Sequence, residues 1–150
     1  TSVGAITANL ALGFESRIGV GALIVGSAHF ADVVAESNEA GAARLREARF
    51  HAFGYQTMEE YRAALRKTLL MDPVALVNFS GPKPALVVSA DADLTVSTNY
   101  QLELVRLLGA EHLPLSGNHS RVIKDTFLYH STKIVDFFKR YLAFGAQETY

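Results

Sequence analysis

The most apolar stretch of the chain covers residues 18–26, Ile-Gly-Val-Gly-Ala-Leu-Ile-Val-Gly. A short run that is apolar at every position fits a strand buried on both faces of a parallel sheet. Gly19, Gly21 and Gly26 argue against the alternative of a buried helix. A second run, residues 85–89, follows Pro82-Lys83-Pro84 and reads Ala-Leu-Val-Val-Ser. A weaker third strand is expected at 111–115, where Pro114 is compatible only with a sheet edge.

Between these runs the pattern is helical. Residues 4–12 are rich in Ala, Leu and Ile, and Gly13 is read as the stop. Residues 38–50 put Arg44, Arg46, Glu47 and Arg49 on a polar face. Thr57-Met58-Glu59-Glu60 has capping-box spacing and opens a helix expected to reach about Leu70. Tyr61, Leu65, Thr68 and Leu69 recur along it at helical spacing. Asp72-Pro73 breaks the pattern, and 74–79 reads as another short helix. Residues 98–108 form a helix capped by Ser97 or Thr98 and stopped by Gly109. Residues 116–120 read as a loop. A last helix is expected at 131–142, burying Ile134, Val135, Phe137, Phe138 and Tyr141, with a loosely held tail after Ala143.

Strands alternating with helices predict an α/β fold with a parallel sheet. The expected layout is one domain in three stretches: 1–29 with the first helix and core strand, 30–79 as a helical insert, and 80–150 as the C-terminal core. Three strands make a thin sheet: either the domain is small and unusual, or strands preceding Thr1 complete it.

Composition narrows the classes. Of 150 residues, 49% are apolar and 19% charged, which excludes a disordered chain. The formal charge is −1 and no run of one sign occurs, which argues against a nucleic-acid or anionic-membrane footprint. The absence of cysteine removes disulfides, thiolate metal sites and cysteine nucleophiles, but leaves the compartment open. No apolar run approaches the roughly 18 residues of a membrane span. No metal or cofactor is expected.

Candidate chemistry lies at three points. Thr1-Ser2-Val3-Gly4 leads straight into a helix of small residues, which makes Ser2 either a nucleophile on a tight turn or an ordinary helix cap. Beyond the 85–89 strand come Asp91 and Asp93, placed where parallel sheets gather ligands and catalytic groups. Either could orient a histidine, or form a turn before the next helix. Of the five histidines, His119 lies in Ser116-Gly117-Asn118-His119-Ser120, which lets a ring swing over the strand ends. His29 follows the first strand and is a pocket-lining candidate. His112 falls on an exposed strand, and His51 and His130 fall near helices.

The order Ser2, Asp93, His119 resembles that of the α/β-hydrolase family, whose nucleophile stands in a Gly-x-Ser-x-Gly elbow between strand and helix. Residues 84–97 look like that family's strand and acid loop, Gly117-Asn118-His119 like its histidine loop, and 131–142 like its closing helix. The insert 30–79 sits where the family carries a cap. The sequence departs from the pattern at Ala90, where glycine is frequent, and the elbow's first glycine and the oxyanion loop are not seen.

The resemblance implies the C-terminal part of a hydrolase fold. Asp93 is then the acid, His119 the base, Ser2 the nucleophile, and the Val3 N–H one oxyanion donor. It implies an ester, thioester or amide substrate with an apolar part, and an N-terminal segment or partner chain as the completing piece. Phe53 and Tyr55 of the insert are candidate substrate contacts, the alternative being that the insert's aromatic residues only pack the cap. Two other functions stay open: an N-terminal-threonine hydrolase using Thr1, and a hydrolase-like binding module without catalysis.

Overall fold

A computed structural model describes residues 1–69 and 72–142. Three parallel strands lie in the order β1 (Gly21–Ile24), β2 (Ala85–Ala90), β3 (Glu111–Leu115). Gly21 is opposite Ala85, and Leu86 is opposite Glu111. All six residues of β2 are buried; five are apolar, and Ser89 meets the His112 ring through its hydroxyl. β3 alternates between half-buried and exposed positions and carries Pro114 at the edge of the described sheet.

Helices cover both faces. On one, α1 (Val3–Phe14) and α5 (Thr98–Leu108) bring Ala5, Leu12, Leu104 and Leu108 onto Leu23, Ala85 and Val87. On the other, Ile24, Val88 and Ala90 meet Val122 of α6 (His119–Tyr129) and Ile134 of α7 (Ser131–Leu142). Fully burying one such Val or Leu side chain contributes about 1.5–3 kcal/mol, so this sandwich is the main source of stability.

The insert has a smaller core of its own. Ala31 and Ala35 of α2 (Phe30–Glu36) pack on Tyr61 and Leu65 of α4 (Met58–Thr68). Between them α3 (Ala40–Phe53) buries no residue fully. The capping box at Thr57 and Glu60 forms as expected. Asp72 accepts the Phe30 and Ala31 N–H groups at 3.0 and 3.3 Å, tying the far end of the insert to its beginning. Arg66 reaches buried Asp32 at 2.7 Å, and Arg62 pairs with Glu36 and Glu59.

Several expectations change. β1 is shorter than 18–26 because pairing starts only at Gly21, and Val25 leaves the strand at φ 46°. The helix expected at 38–50 starts at Ala40 and runs to Phe53, where Gly54 turns left-handed at φ 68°. Residues 74–79 give only a 3-10 turn, Pro73–Leu76. α2 and α6 were not foreseen, and α6 begins inside the segment expected to be a loop. In α7 only Phe137 is fully buried, while Val135 and Tyr141 are exposed, because this helix presents one narrow stripe to the sheet. The expected helix end at Leu70 and the tail after Ala143 fall outside the described residues.

Gly13 is not a stop. α1 continues through it, and a Cβ there would lie 2.1 Å from the Leu76 carbonyl oxygen. The glycine permits a backbone-to-backbone approach that no other residue allows. Gly13→Ala should therefore cost about 1–3 kcal/mol. Gly41→Ala, in α3 with open space around it, should add about 0.5–1 kcal/mol. Urea unfolding of both variants checks the contrast, and equal effects would contradict the packing described.

Candidate active site

Ser2 caps the N-terminus of α1 with φ 52° and ψ −128°, a conformation rarely adopted by non-glycine residues. Such strain costs about 1–3 kcal/mol and persists only where neighbours enforce it. Here the Ser2 N–H donates to the Ile24 carbonyl at 2.9 Å, while Ser2's own carbonyl accepts from the Ala5 and Ile6 N–H groups. Just beyond β1, Gly26 lies so close to α1 that an added Cβ would be 2.7 Å from that of Ala5. Small residues on both sides thus let the turn fold sharply and present the serine hydroxyl.

Asp93 lies in the turn beyond β2, and its carboxylate is buried. Burying a charge is costly unless it is fully hydrogen-bonded. Oδ1 accepts from the Thr95 and Val96 N–H groups at 2.8 and 2.9 Å. Oδ2 accepts from Gln101 Nε2 at 2.8 Å and contacts His119 Nδ1 at 2.7 Å.

His119 is the first residue of α6, not part of a free loop. The Asn118 side chain caps that helix by accepting the Arg121 N–H at 3.0 Å. An ionised carboxylate can only accept, so Nδ1 carries the ring proton and Nε2 is left as an acceptor. Nε2 is 2.8 Å from Ser2 Oγ. The hydroxyl of Ser2, the imidazole of His119 and the carboxylate of Asp93 therefore form one continuous hydrogen-bonded row.

Asp91, the other acid considered from sequence, does a different job. It accepts the Gly117 N–H at 2.8 Å and so fixes the approach to His119. That bond and one from the Ser116 hydroxyl hold its carboxyl below the usual aspartate range, with Arg121 adding a smaller effect.

The Val3 N–H stands at the start of α1, where the first N–H groups of a helix lack intrahelical acceptors. His29 caps α2, with Nε2 3.1 Å from Glu103 of α5 and Nδ1 3.8 Å from Asp32. Its ring packs on Tyr100, whose hydroxyl is pushed up to about 12 by burial and by Glu36. Phe53, 69% exposed, and Tyr55 line a groove of about 200 Å³ on the insert, with Arg49 and Thr68. None of His29, Phe53 and Tyr55 is hydrogen-bonded to the serine–histidine–aspartate row among the described residues. His112 contacts the Ser89 hydroxyl at 2.8 Å, while His51 lies on α3 and His130 ends α6.

Two features escaped the sequence. A groove of about 380 Å³ runs beside α1, lined by Ile6, Thr7, Leu10, Phe30, Leu69 and Pro73 among others. Ile6 is one helical turn from Ser2. The other is Gln101, whose signal was available: a lone amide in the buried stripe Gln101, Leu104, Leu108.

No family model matches the sequence, and no curated protein matches it. Solved structures do. An acetyl xylan esterase from a Paenibacillus species is similar over 93% of this chain and 43% of its own, with 13% identity and a TM-score of 0.69. The acylaminoacyl peptidase of Pyrococcus horikoshii is similar over 94% and 23%, with 18% identity and a TM-score of 0.62. An enol-lactonase from Burkholderia xenovorans is similar over 92% and 63%, with 20% identity and a TM-score of 0.57. The chain thus has the fold of part of an α/β hydrolase and spans less than two thirds of each of these structures. Among the described residues no helix is long and apolar enough to cross a membrane.

The Asp91 bond has a pH signature. A carboxyl held low in the folded state stabilises above its ordinary value and loses that contribution as pH falls through the lowered one. The stability gap between wild type and Asp91→Asn should therefore close as pH drops below about 4. Urea midpoints across acidic pH measure it, and a gap that does not change with pH would rule the bond out as a contributor.

Proposed function

We propose that this chain carries the nucleophile, base and acid of a serine hydrolase acting on a carboxylic ester, thioester or amide. The observation that carries the reading is the row Ser2 Oγ, His119 Nε2, His119 Nδ1, Asp93 Oδ2, with successive contacts of 2.8 and 2.7 Å, starting from a strained serine. Ser2 Oγ attacks the carbonyl carbon as its proton passes to His119 Nε2. Asp93 holds the ring in the required tautomer and stabilises the imidazolium. The tetrahedral oxyanion accepts from the Val3 N–H, and collapse returns the proton to the leaving group. An acyl-Ser2 intermediate remains for water to hydrolyse, with His119 again the base.

The similar structures include an esterase, a lactonase and a peptidase, which supports acyl chemistry in general. The groove beside α1, walled largely by apolar side chains, supports a substrate with an apolar portion. The open groove at Phe53 and Tyr55 and the half-buried position of His29 keep these three as proposed substrate contacts.

A completing segment belongs to the same reading. β1 is paired on one edge only among the described residues, and Ser2 already donates to the last carbonyl of that strand. A strand entering Ser2 along the free edge of β1 would extend the sheet, and its neighbouring loops would bring a second oxyanion donor. Loss of one such donor typically costs about 2.7–4 kcal/mol of barrier.

A fluorophosphonate probe tests the chemistry on the full-length protein. Labelling should fall on Ser2, vanish in Ser2→Ala and slow by about a hundredfold or more in His119→Ala and Asp93→Asn. Labelling of Thr1 instead would indicate an N-terminal nucleophile. No labelling of a folded, complete protein would indicate a binding module. Residues 1–150 alone should hydrolyse model esters poorly, and full activity from them would remove the need for a completing segment.

A further inference from the structure

We infer that Gln101 is a positioning residue for the proposed acid–base pair, its side-chain amide fixing the Asp93 carboxylate in the orientation His119 requires. This rests on the serine-hydrolase reading above.

Gln101 is fully buried on the core side of α5, where a glutamine is an expensive choice. Its polar atoms are nevertheless fully used. Oε1 accepts the Ala90 N–H at 2.9 Å. Nε2 donates to the Val96 carbonyl at 2.7 Å and to Asp93 Oδ2 at 2.8 Å. One amide therefore ties the last residue of β2 to both the carboxylate and the far side of the acid turn.

The bond to Oδ2 goes beyond bracing the backbone. Oδ1 is already held by two backbone N–H groups, and Oδ2 is the oxygen that meets His119. With donors on both oxygens and two on Oδ2, the carboxylate cannot rotate without breaking a bond. The amide also takes part of the charge on Oδ2, which moderates its pull on the Nδ1 proton. Among the described residues His119 is the ionisable side chain bonded to this carboxylate. Ser2 lies beyond the ring, and Asp91, across the turn, is bonded to Gly117. The Thr98 hydroxyl donates to the Ala90 carbonyl at 2.7 Å and holds the strand end independently of Gln101.

Two variants of the full-length protein test this. Gln101→Met keeps the length of the side chain and removes its hydrogen bonds. Gln101→Glu keeps the shape and the acceptor for Ala90, and can donate to Oδ2 only while its new carboxyl is protonated. Fluorophosphonate labelling of Ser2, ester turnover, and the proton resonance on His119 Nδ1 are followed across pH. Gln101→Met should slow labelling by about 10–100-fold at neutral pH, lower kcat with KM within about twofold, and move the Nδ1 resonance. For Gln101→Glu, the labelling rate relative to wild type should fall by about tenfold as rising pH ionises the new carboxyl beside Asp93.

Labelling within about twofold of wild type in both variants at every pH, with an unmoved Nδ1 resonance, would overturn the inference. If Gln101→Met does not fold, a pH-independent ratio for Gln101→Glu overturns it alone. An unlabelled Ser2 in the wild-type protein would instead sink the hydrolase reading, and this inference with it.

Discussion

The buried carboxylate of Asp93 is the interaction on which the rest of the site depends. It gathers donors from four places: the backbone of Thr95, the backbone of Val96, the amide of Gln101 and the ring of His119. Those donors belong to the acid turn, to α5 and to α6. One charged group thus fixes the end of β2 relative to the helices on both faces of the sheet. A neutral side chain would not draw these elements together with the same strength, since hydrogen bonds to charged groups are worth about twice those between neutral ones.

Strain is concentrated at the opposite end of the row. Ser2 at φ 52° and Val25 at φ 46° sit on either side of the bond from the Ser2 N–H to the Ile24 carbonyl. Val25 is completely buried, and a β-branched residue is poorly suited to that backbone region. Both positions are held by packing rather than local preference. α1 cannot slide to relieve them, because Ala5 rests against Gly26 and Gly13 against the Leu76 carbonyl. Close packing along the whole helix thus keeps the serine hydroxyl within reach of the imidazole.

The parts of the fold most legible in the sequence were those where one residue type has one use. The mostly apolar run of β2 and the punctuation of α5 by Gly109 and of β3 by Pro114 located the core. Residues 131–142 form α7, and Ser2, Asp93 and His119 were singled out by the resemblance of their order to that of the α/β hydrolases. α2 was missed because its seven residues are too few to show a period, and buried Asp32 interrupts its apolar pattern. α6 was missed because the small polar residues before it look like loop, although Asn118 is a helix cap. Asp91 and Asp93 could not be separated by sequence physics alone. Their roles depend on which partner lies across the turn, and those partners are 26 residues away in both cases. The choice of Gly13 as a stop failed for a similar reason, since the constraint on it comes from the Leu76 carbonyl and not from its own helix.

The insert and the sheet are held by different forces. The central strand β2 and the Asp93 carboxylate are buried, with His119 and Ser2 half-buried beside them. The insert has a small aromatic and alanine core, packs Phe30 and Val33 onto Ile6 and Val96, and adds the pairs of Arg62 and Arg66 with Glu36, Glu59 and buried Asp32. Mobile ions screen exposed charges over roughly 8–10 Å and reach buried ones much less. Rising ionic strength therefore weakens the exposed pairs of the insert and leaves the buried Asp93 hydrogen bonds largely unaffected. A brine and a dilute buffer would thus meet the same hydrogen-bonded row beside a differently secured insert.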